Sequence, residues 1–192
     1  GLGKRRKEDI ELGINYCHRA LEIFETNQDS RRAAQAYQYM AILAGDQGNL
    51  EQANQYLQQA LQKYEQAQDW FEAAQMCYEL GNFAEQQGDV QQKIIYYQQA
   101  IELFKKAKNL SGAGEMYAYL GDTFRGQENL EEAISAYQQA AAIFEQVQDL
   151  DKAAEVYKQL GLTLGKRRKE DIELGINYCH RALEIFETNQ DS

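Results

Sequence analysis

The chain has no proline, one tryptophan and only two histidines, and its three cysteines are scattered. Without proline, breaks between elements must come from glycine, asparagine and aspartate. Cys17, Cys77 and Cys179 are too few and too far apart for a disulfide framework, and they read as buried thiols of a cytoplasmic protein. No apolar run approaches the ~18 residues of a membrane span. No basic stretch followed by an apolar one opens the sequence as a secretory leader would. Basic residues are also short, at 20 against 30 acidic ones, for a formal net charge of −10. That balance argues against nucleic-acid binding, which needs a basic footprint.

Residues able to do chemistry are equally sparse. His18 and His180 each follow a cysteine. Neighbours on a helix point about 100° apart, so Cys179 and His180 make a poor nucleophile–base pair. No HExxH, CxxC or EF-hand spacing occurs. Gly161 to Lys166 superficially resembles a phosphate loop, but three residues separate its glycines and Arg167 stands where serine or threonine belongs. The reading is a non-enzyme with no metal site, no cofactor and no membrane contact.

What the sequence does have is repetition. Leu164–Ser192 repeats Leu2–Ser30 letter for letter (LGKRRKEDIELGINYCHRALEIFETNQDS). Such identity arises by recent duplication or by design. Between the two copies lies a weaker period. Cuts before Arg31, Phe71, Ser111 and Asp151 give blocks of 40, 40, 40 and 42 residues. Small pairs recur at the third and fourth positions: Ala33-Ala34, Ala73-Ala74, Ala113-Gly114 and Ala153-Ala154. Met40-Ala41, Leu80-Gly81, Leu120-Gly121 and Leu160-Gly161 follow at the tenth and eleventh. In the second half of each block an alanine recurs at Ala60, Ala100, Ala140 and Ala182, with an aromatic four residues on at Tyr64, Phe104, Phe144 and Phe186. Spacings of three and four place these residues on one helical stripe.

Asn49, Asp89, Asn129 and Asp171 are good N-caps inside the blocks, and Asp69, Asn109 and Asp149 between them. The pattern predicts two helices per block: helix A over about positions 2 to 16 and helix B over about positions 20 to 37. The organisation is therefore an extra helix B over 1–30 (about Asp9 to Thr26), then repeats over 31–70, 71–110, 111–150 and 151–192, stacked as one continuous solenoid.

These motifs resemble the tetratricopeptide repeat. Leu80-Gly81, Ala84, Gly88, Tyr97 and Ala100 carry the resemblance in the second block, and Leu120-Gly121, Phe124, Ala133, Tyr137 and Ala140 in the third. The units are longer than the usual ~34 residues, lack the terminal proline, and depart from the pattern at Met40-Ala41 and Lys93. Forty-residue units of this kind are similar to those of Pins/LGN-like scaffolds, SNAP-like adaptors and bacterial regulators. The resemblance implies an all-α, right-handed α-solenoid and a protein or peptide ligand in a concave groove lined by helices A. It implies groove positions at Gln38, Ile42, Tyr78, Asn82, Glu85, Glu115, Ala118, Asp122, Arg125, Glu155, Lys158 and Leu162. An asparagine directly after Leu-Gly often bonds a ligand's backbone in peptide-binding members, which singles out Asn82, and Arg125 with it. Asp122 at the matching place departs from a simple acidic-peptide clamp.

The duplicated ends suggest self-association. The apolar stripe is expected to lie partly open at Ile10, Ile14, Leu21 and Phe24, and again at Ile172, Ile176, Leu183 and Phe186. A second reading is thus a building block that forms a domain-swapped or head-to-tail homo-oligomer or filament. A third is the regulatory or sensor arm of a larger protein. Lys166-Arg167-Arg168-Lys169, copied at Lys4 to Lys7, reads as a solvated loop between helices A and B, balanced by Glu170, Asp171 and Glu173.

Overall fold

The computed structural model describes residues 2–190, with side chains over 3–189. Gly1, Asp191 and Ser192, which belong to the terminal segments expected above, lie outside the described residues. Among the described residues there are nine α-helices, one short 3-10 turn and no strand, an all-α helical repeat.

The chain divides into two compact units, Gly1–Ala107 and Lys108–Ser192. The first holds α1 (Leu2–Thr26), α2 (Ser30–Asp46), α3 (Leu50–Gln66), α4 (Trp70–Gln86) and α5 (Val90–Lys106). The second holds α6 (Leu110–Gly126), α7 (Leu130–Gln146), α8 (Leu150–Arg167), a 3-10 turn over Lys169–Asp171, and α9 (Ile172–Gln190). Helices A are α2, α4, α6 and α8; helices B are the rest.

Each turn is a helix stop and a helix start in the same three residues. At the end of α1 the Gln28 amide donates to Glu25 O and the Asp29 amide to Phe24 O, each within 3.0 Å. This pair of bonds is the Schellman arrangement and puts Gln28 in the left-handed region, at φ 56°. Asp29 then turns its side chain forward and accepts from the Arg32 amide at 3.1 Å. The pattern repeats at Gly48-Asn49, Gln68-Asp69, Gly88-Asp89, Glu128-Asn129 and Gln148-Asp149. The expected caps Asn49, Asp69, Asp89, Asn109, Asn129 and Asp149 all hold their helices.

Asp171 departs from that expectation. Its carboxylate accepts from Arg167 Nε at 2.8 Å and from Arg168 Nε at 3.3 Å, inside the 3-10 turn. The basic cluster is therefore only partly a loop: Lys166 and Arg167 close α8, and Arg167 also bridges to Glu131 at 2.8 Å. Gly161 to Lys166 is helical and forms no phosphate loop.

Small residues set how closely helix A meets its helix B. A Cβ on Gly81 would sit 2.5 Å from the Tyr97 ring, and one on Gly121 2.5 Å from the Tyr137 ring. In the last block Cys179 replaces the tyrosine, and the backbones themselves meet: a Cβ on Gly161 would lie 2.6 Å from Gly175 O. The first block shows the complementary solution, Ala41 opposite the smaller Leu57 in the same register. The core of the second unit gathers Ile134, Tyr137, Phe144, Val156, Tyr157, Leu160 and Leu164 around alanines. At the start of the first unit, Leu21 packs on Ala33, Ala36 and Met40.

The terminal helices correct two expectations. α1 begins at Leu2 rather than near Asp9. It also turns Ile10 and Leu21 inward and leaves Leu12, Tyr16 and Ile23 exposed, so the stripe expected to lie open at this end is covered by α2, with Ile14 and Phe24 half-buried beside Leu21. α9 leaves Ile172, Ile176 and Leu183 exposed as expected, while Phe186 packs on the core. Of the cysteines only Cys77 is buried; Cys17 and Cys179 are half-buried.

Candidate binding grooves on the A helices

In the first unit α2 and α4 wall a groove of about 500 Å³. Gln38 and Ile42, both named from the sequence, line it from α2. Phe71, Glu72, Gln75, Met76 and Glu79 line it from α4, over a floor of Ala41 and Leu57. Tyr64, buried in helix B behind, donates its hydroxyl to Gln38 Oε1 at 2.9 Å and fixes that amide in the wall. Burial pushes the Tyr64 phenol up to about 12, with Glu72 and Asp69 adding to the effect.

The second unit has a groove of about 370 Å³ between α6 and α8. Glu115, Ala118 and Asp122 line it from α6, with Tyr119; Glu155 lines it from α8, with Lys152, Val156 and Gln159. A chain of polar contacts crosses it. Tyr137 donates to Asp122 Oδ1 at 2.5 Å, and Arg125 Nη2 donates to the same oxygen at 3.1 Å. Arg125 Nη1 also donates to Gln159 Oε1. Gln159 Nε2 donates to Glu155 Oε1 at 3.0 Å, and Lys158 Nζ to Glu155 Oε2 at 2.5 Å. Beside them Lys152 Nζ holds Glu115 Oε1 at 2.6 Å.

The electrostatics follow these contacts. The hydrogen bond from Lys158 holds the Glu155 carboxyl below its usual range. The hydrogen bond to Glu115 raises the Lys152 ammonium. Burial, then the bond to Asp122, pushes the Tyr137 phenol up. The groove wall is thus charged with both signs, already paired across its width.

Tyr78, Asn82 and Glu85 do not line the first groove. They engage α5: Asn82 Oδ1 accepts from the Tyr97 hydroxyl at 2.6 Å, Tyr78 stacks on the Tyr97 ring at 5.8 Å, and Glu85 holds Lys93 Nζ at 2.6 Å. The buried Lys93, which stands in place of the usual alanine, also lies 5.3 Å from the Tyr97 ring centre. Asn82 is the counterpart of Asp122, and both accept from a tyrosine packed under the preceding glycine. Leu162 lies on neither groove; it borders a hollow between α8 and α9.

Sequence reading missed Glu79, Tyr119 and Gln159, one turn beyond Gln75, Glu115 and Glu155 on the same face. For Tyr119 and Gln159 the available signal was their spacing of four from Glu115 and Glu155; Gln75, like Glu79, had not been singled out. No group of three or more His, Cys, Asp or Glu side chains among the described residues is placed to hold a metal ion. No helix among them is long and apolar enough to cross a membrane.

Known structures share this arrangement. BtubC from P. vanneervenii superposes with a TM-score of 0.66 at 14% identity, covering 98% of this chain and 92% of that one. MamA gives 0.63 at 20% identity, over 99% and 96%. Aspartyl phosphate phosphatase F from Bacillus subtilis gives 0.64 at 20% identity, over 88% of this chain and 45% of that one. At these identities the likeness is one of fold. Among curated proteins none matches the sequence. Tetratricopeptide repeat models match residues 33–67 and 71–146, so the chain carries tetratricopeptide repeats across its central helices.

Proposed function

We propose that the chain is a non-catalytic protein-interaction scaffold whose grooves on helices A hold an extended or helical segment of a partner protein. The observation that carries this reading is the make-up of the groove walls. Ile42 projects from α2 into the first groove with most of its surface exposed, beside Phe71 on the opposite wall. Apolar side chains standing free in a concave surface among positioned polar groups are what a polypeptide ligand buries. In the second groove Lys152 stands among Glu115, Asp122 and Glu155, which suits a segment carrying both charges. The detected repeats belong to a family of protein-binding scaffolds, which supports the same reading.

The test is selection of segments from a random peptide-display library on the immobilised chain, followed by affinity measurement on wild type and Ile42→Glu. Ile42 is exposed, so its replacement leaves the helix packing intact. Loss of one apolar contact and burial of a charge should weaken segments held in the first groove by about tenfold or more. Segments that bind both proteins equally, and whose binding is also unchanged by Glu155→Lys in the second groove, would refute the groove reading.

A further inference from the structure

The identical terminal segments adopt two packings, and each packing leaves open the face that the other covers. α7, flanked by α6 and α8, shows what a helix B buries when it has neighbours on both sides. Ile134 and Ala141 are buried on one side of it, and Ala136 on the other. The matching residues of α1 are Ile14, Leu21 and Tyr16; those of α9 are Ile176, Leu183 and Tyr178. In α1, Leu21 is 6% exposed against α2, while Tyr16 is 60% exposed. In α9 the pattern reverses. Tyr178 stacks on Tyr157 of α8 at 5.6 Å, while Ile176 is 51% and Leu183 54% exposed. Between α8 and α9 these residues border an apolar hollow of about 390 Å³ with Gly161, Gly165 and Gly175.

The structure already shows what covers the open face of α9, because α1 has the same sequence and that face of α1 lies on α2. The fit extends to α3: His18 Nε2 lies 3.4 Å from the Tyr56 hydroxyl, and Glu25 pairs with Lys63 at 3.2 Å. His180 and Glu187 stand at the same places on α9. We propose that the α8–α9 edge of one chain takes the α2 face of a second copy, with α9 seated where that copy's own α1 lies. The junction then reads helix A, helix B, helix A, as α6, α7 and α8 do within one chain.

In this account α1 is a tethered competitor. It makes the same contacts with α2 that α9 of the second copy would make, so exchanging one for the other changes little apolar burial. The tether gives α1 an effective concentration in the millimolar range. Wild-type chain is therefore monomeric at micromolar concentration, and weakening α1 alone releases association. α1 is the helix that yields, because α9 is locked to α8 by the glycine-to-glycine approach and by the Arg167–Asp171 pair at 2.8 Å.

Light scattering after size exclusion on the full-length chain tests this, with Leu21→Asp and with Leu21→Asp/Leu183→Asp. Leu21→Asp unseats α1 and leaves α9 intact. It should lower the concentration at which the chain associates by about a hundredfold or more. Adding Leu183→Asp, on an exposed side chain, should return the protein to a monomer. A Leu21→Asp chain that stays monomeric overturns the proposal. So does a double variant that associates as strongly as the single one, since exposed apolar surface would then be aggregating without the α9 face.

Discussion

Leu21 and Leu183 occupy the same place in the same segment, yet Leu21 is buried against α2 and Leu183 stands in solvent. Sequence alone does not choose between these fates; the neighbouring helix A does. The same holds for the segment's start. Its residues Gly3 to Asp9 are one run of helix in α1, whereas their counterparts close α8, extend at Arg168 (φ −150°, ψ 151°) and form the 3-10 turn. α8 and Glu131 supply the contacts that fold the second copy into a hairpin.

The glycine–tyrosine contacts predict a steric coupling. Gly121→Ala would bring a Cβ to 2.5 Å from the Tyr137 ring and should lower stability by about 1–3 kcal/mol through overpacking. Tyr137→Leu in the same chain should recover part of that loss, since the first block pairs Ala41 with Leu57 in this register. Urea unfolding of the single and double variants measures the coupling.

The turns predict a gain. Gln68 sits at φ 55° with a side chain, where Gly48 and Gly88 serve the same turn at φ 77° and 78°. Gln68→Gly relieves the left-handed strain and should stabilise by about 0.5–1 kcal/mol, and Gly48→Ala should destabilise by a similar amount. Shifts of the unfolding midpoint in opposite directions are the expected result.

Alkaline pH should destabilise the fold. Burial raises the Cys77 thiol from its ordinary value near 9.0 to about 12, with Glu65 adding to the effect; burial raises the Tyr64 phenol from 10.0 to about 12. Both groups bind their protons more tightly folded than unfolded. Their contribution is complete below the unfolded values and is lost as pH rises from about 9 through about 12. The urea midpoint should therefore fall across that window, and Cys77→Ala should remove part of the fall.

Thiol reactivity follows burial. At mildly alkaline pH, iodoacetamide should modify the half-buried Cys17 and Cys179 before the buried Cys77, which reacts only on unfolding. Mass spectrometry separates the outcomes, because Cys17 and Cys179 share one tryptic sequence and Cys77 has another.

The helices and their caps were legible in the sequence because each turn repeats one chemistry: a left-handed residue followed by Asn or Asp. The Leu-Gly register led to Gln38, Ile42, Ala118 and Asp122, and these four side chains line the two hollows. Asn82 was not. Its ligand-like position is set against a tyrosine on the next helix, and only the pairing of Gly81 with Tyr97, echoed by Gly121 with Tyr137, signals that its oxygen already has a donor. The faces of α1 and α9 were unreadable for a different reason. One sequence serves two neighbours, and periodicity marks both faces without saying which is covered.

The measurement that bears most directly on the binding function is amide hydrogen exchange of the full chain with and without a segment selected on it. Slowed exchange is expected chiefly in the groove-lining stretches of α2 and α4, or of α6 and α8, with smaller changes in α3 or α7 behind them. Slowing confined to the B helices would contradict this expectation and move the binding surface off the grooves.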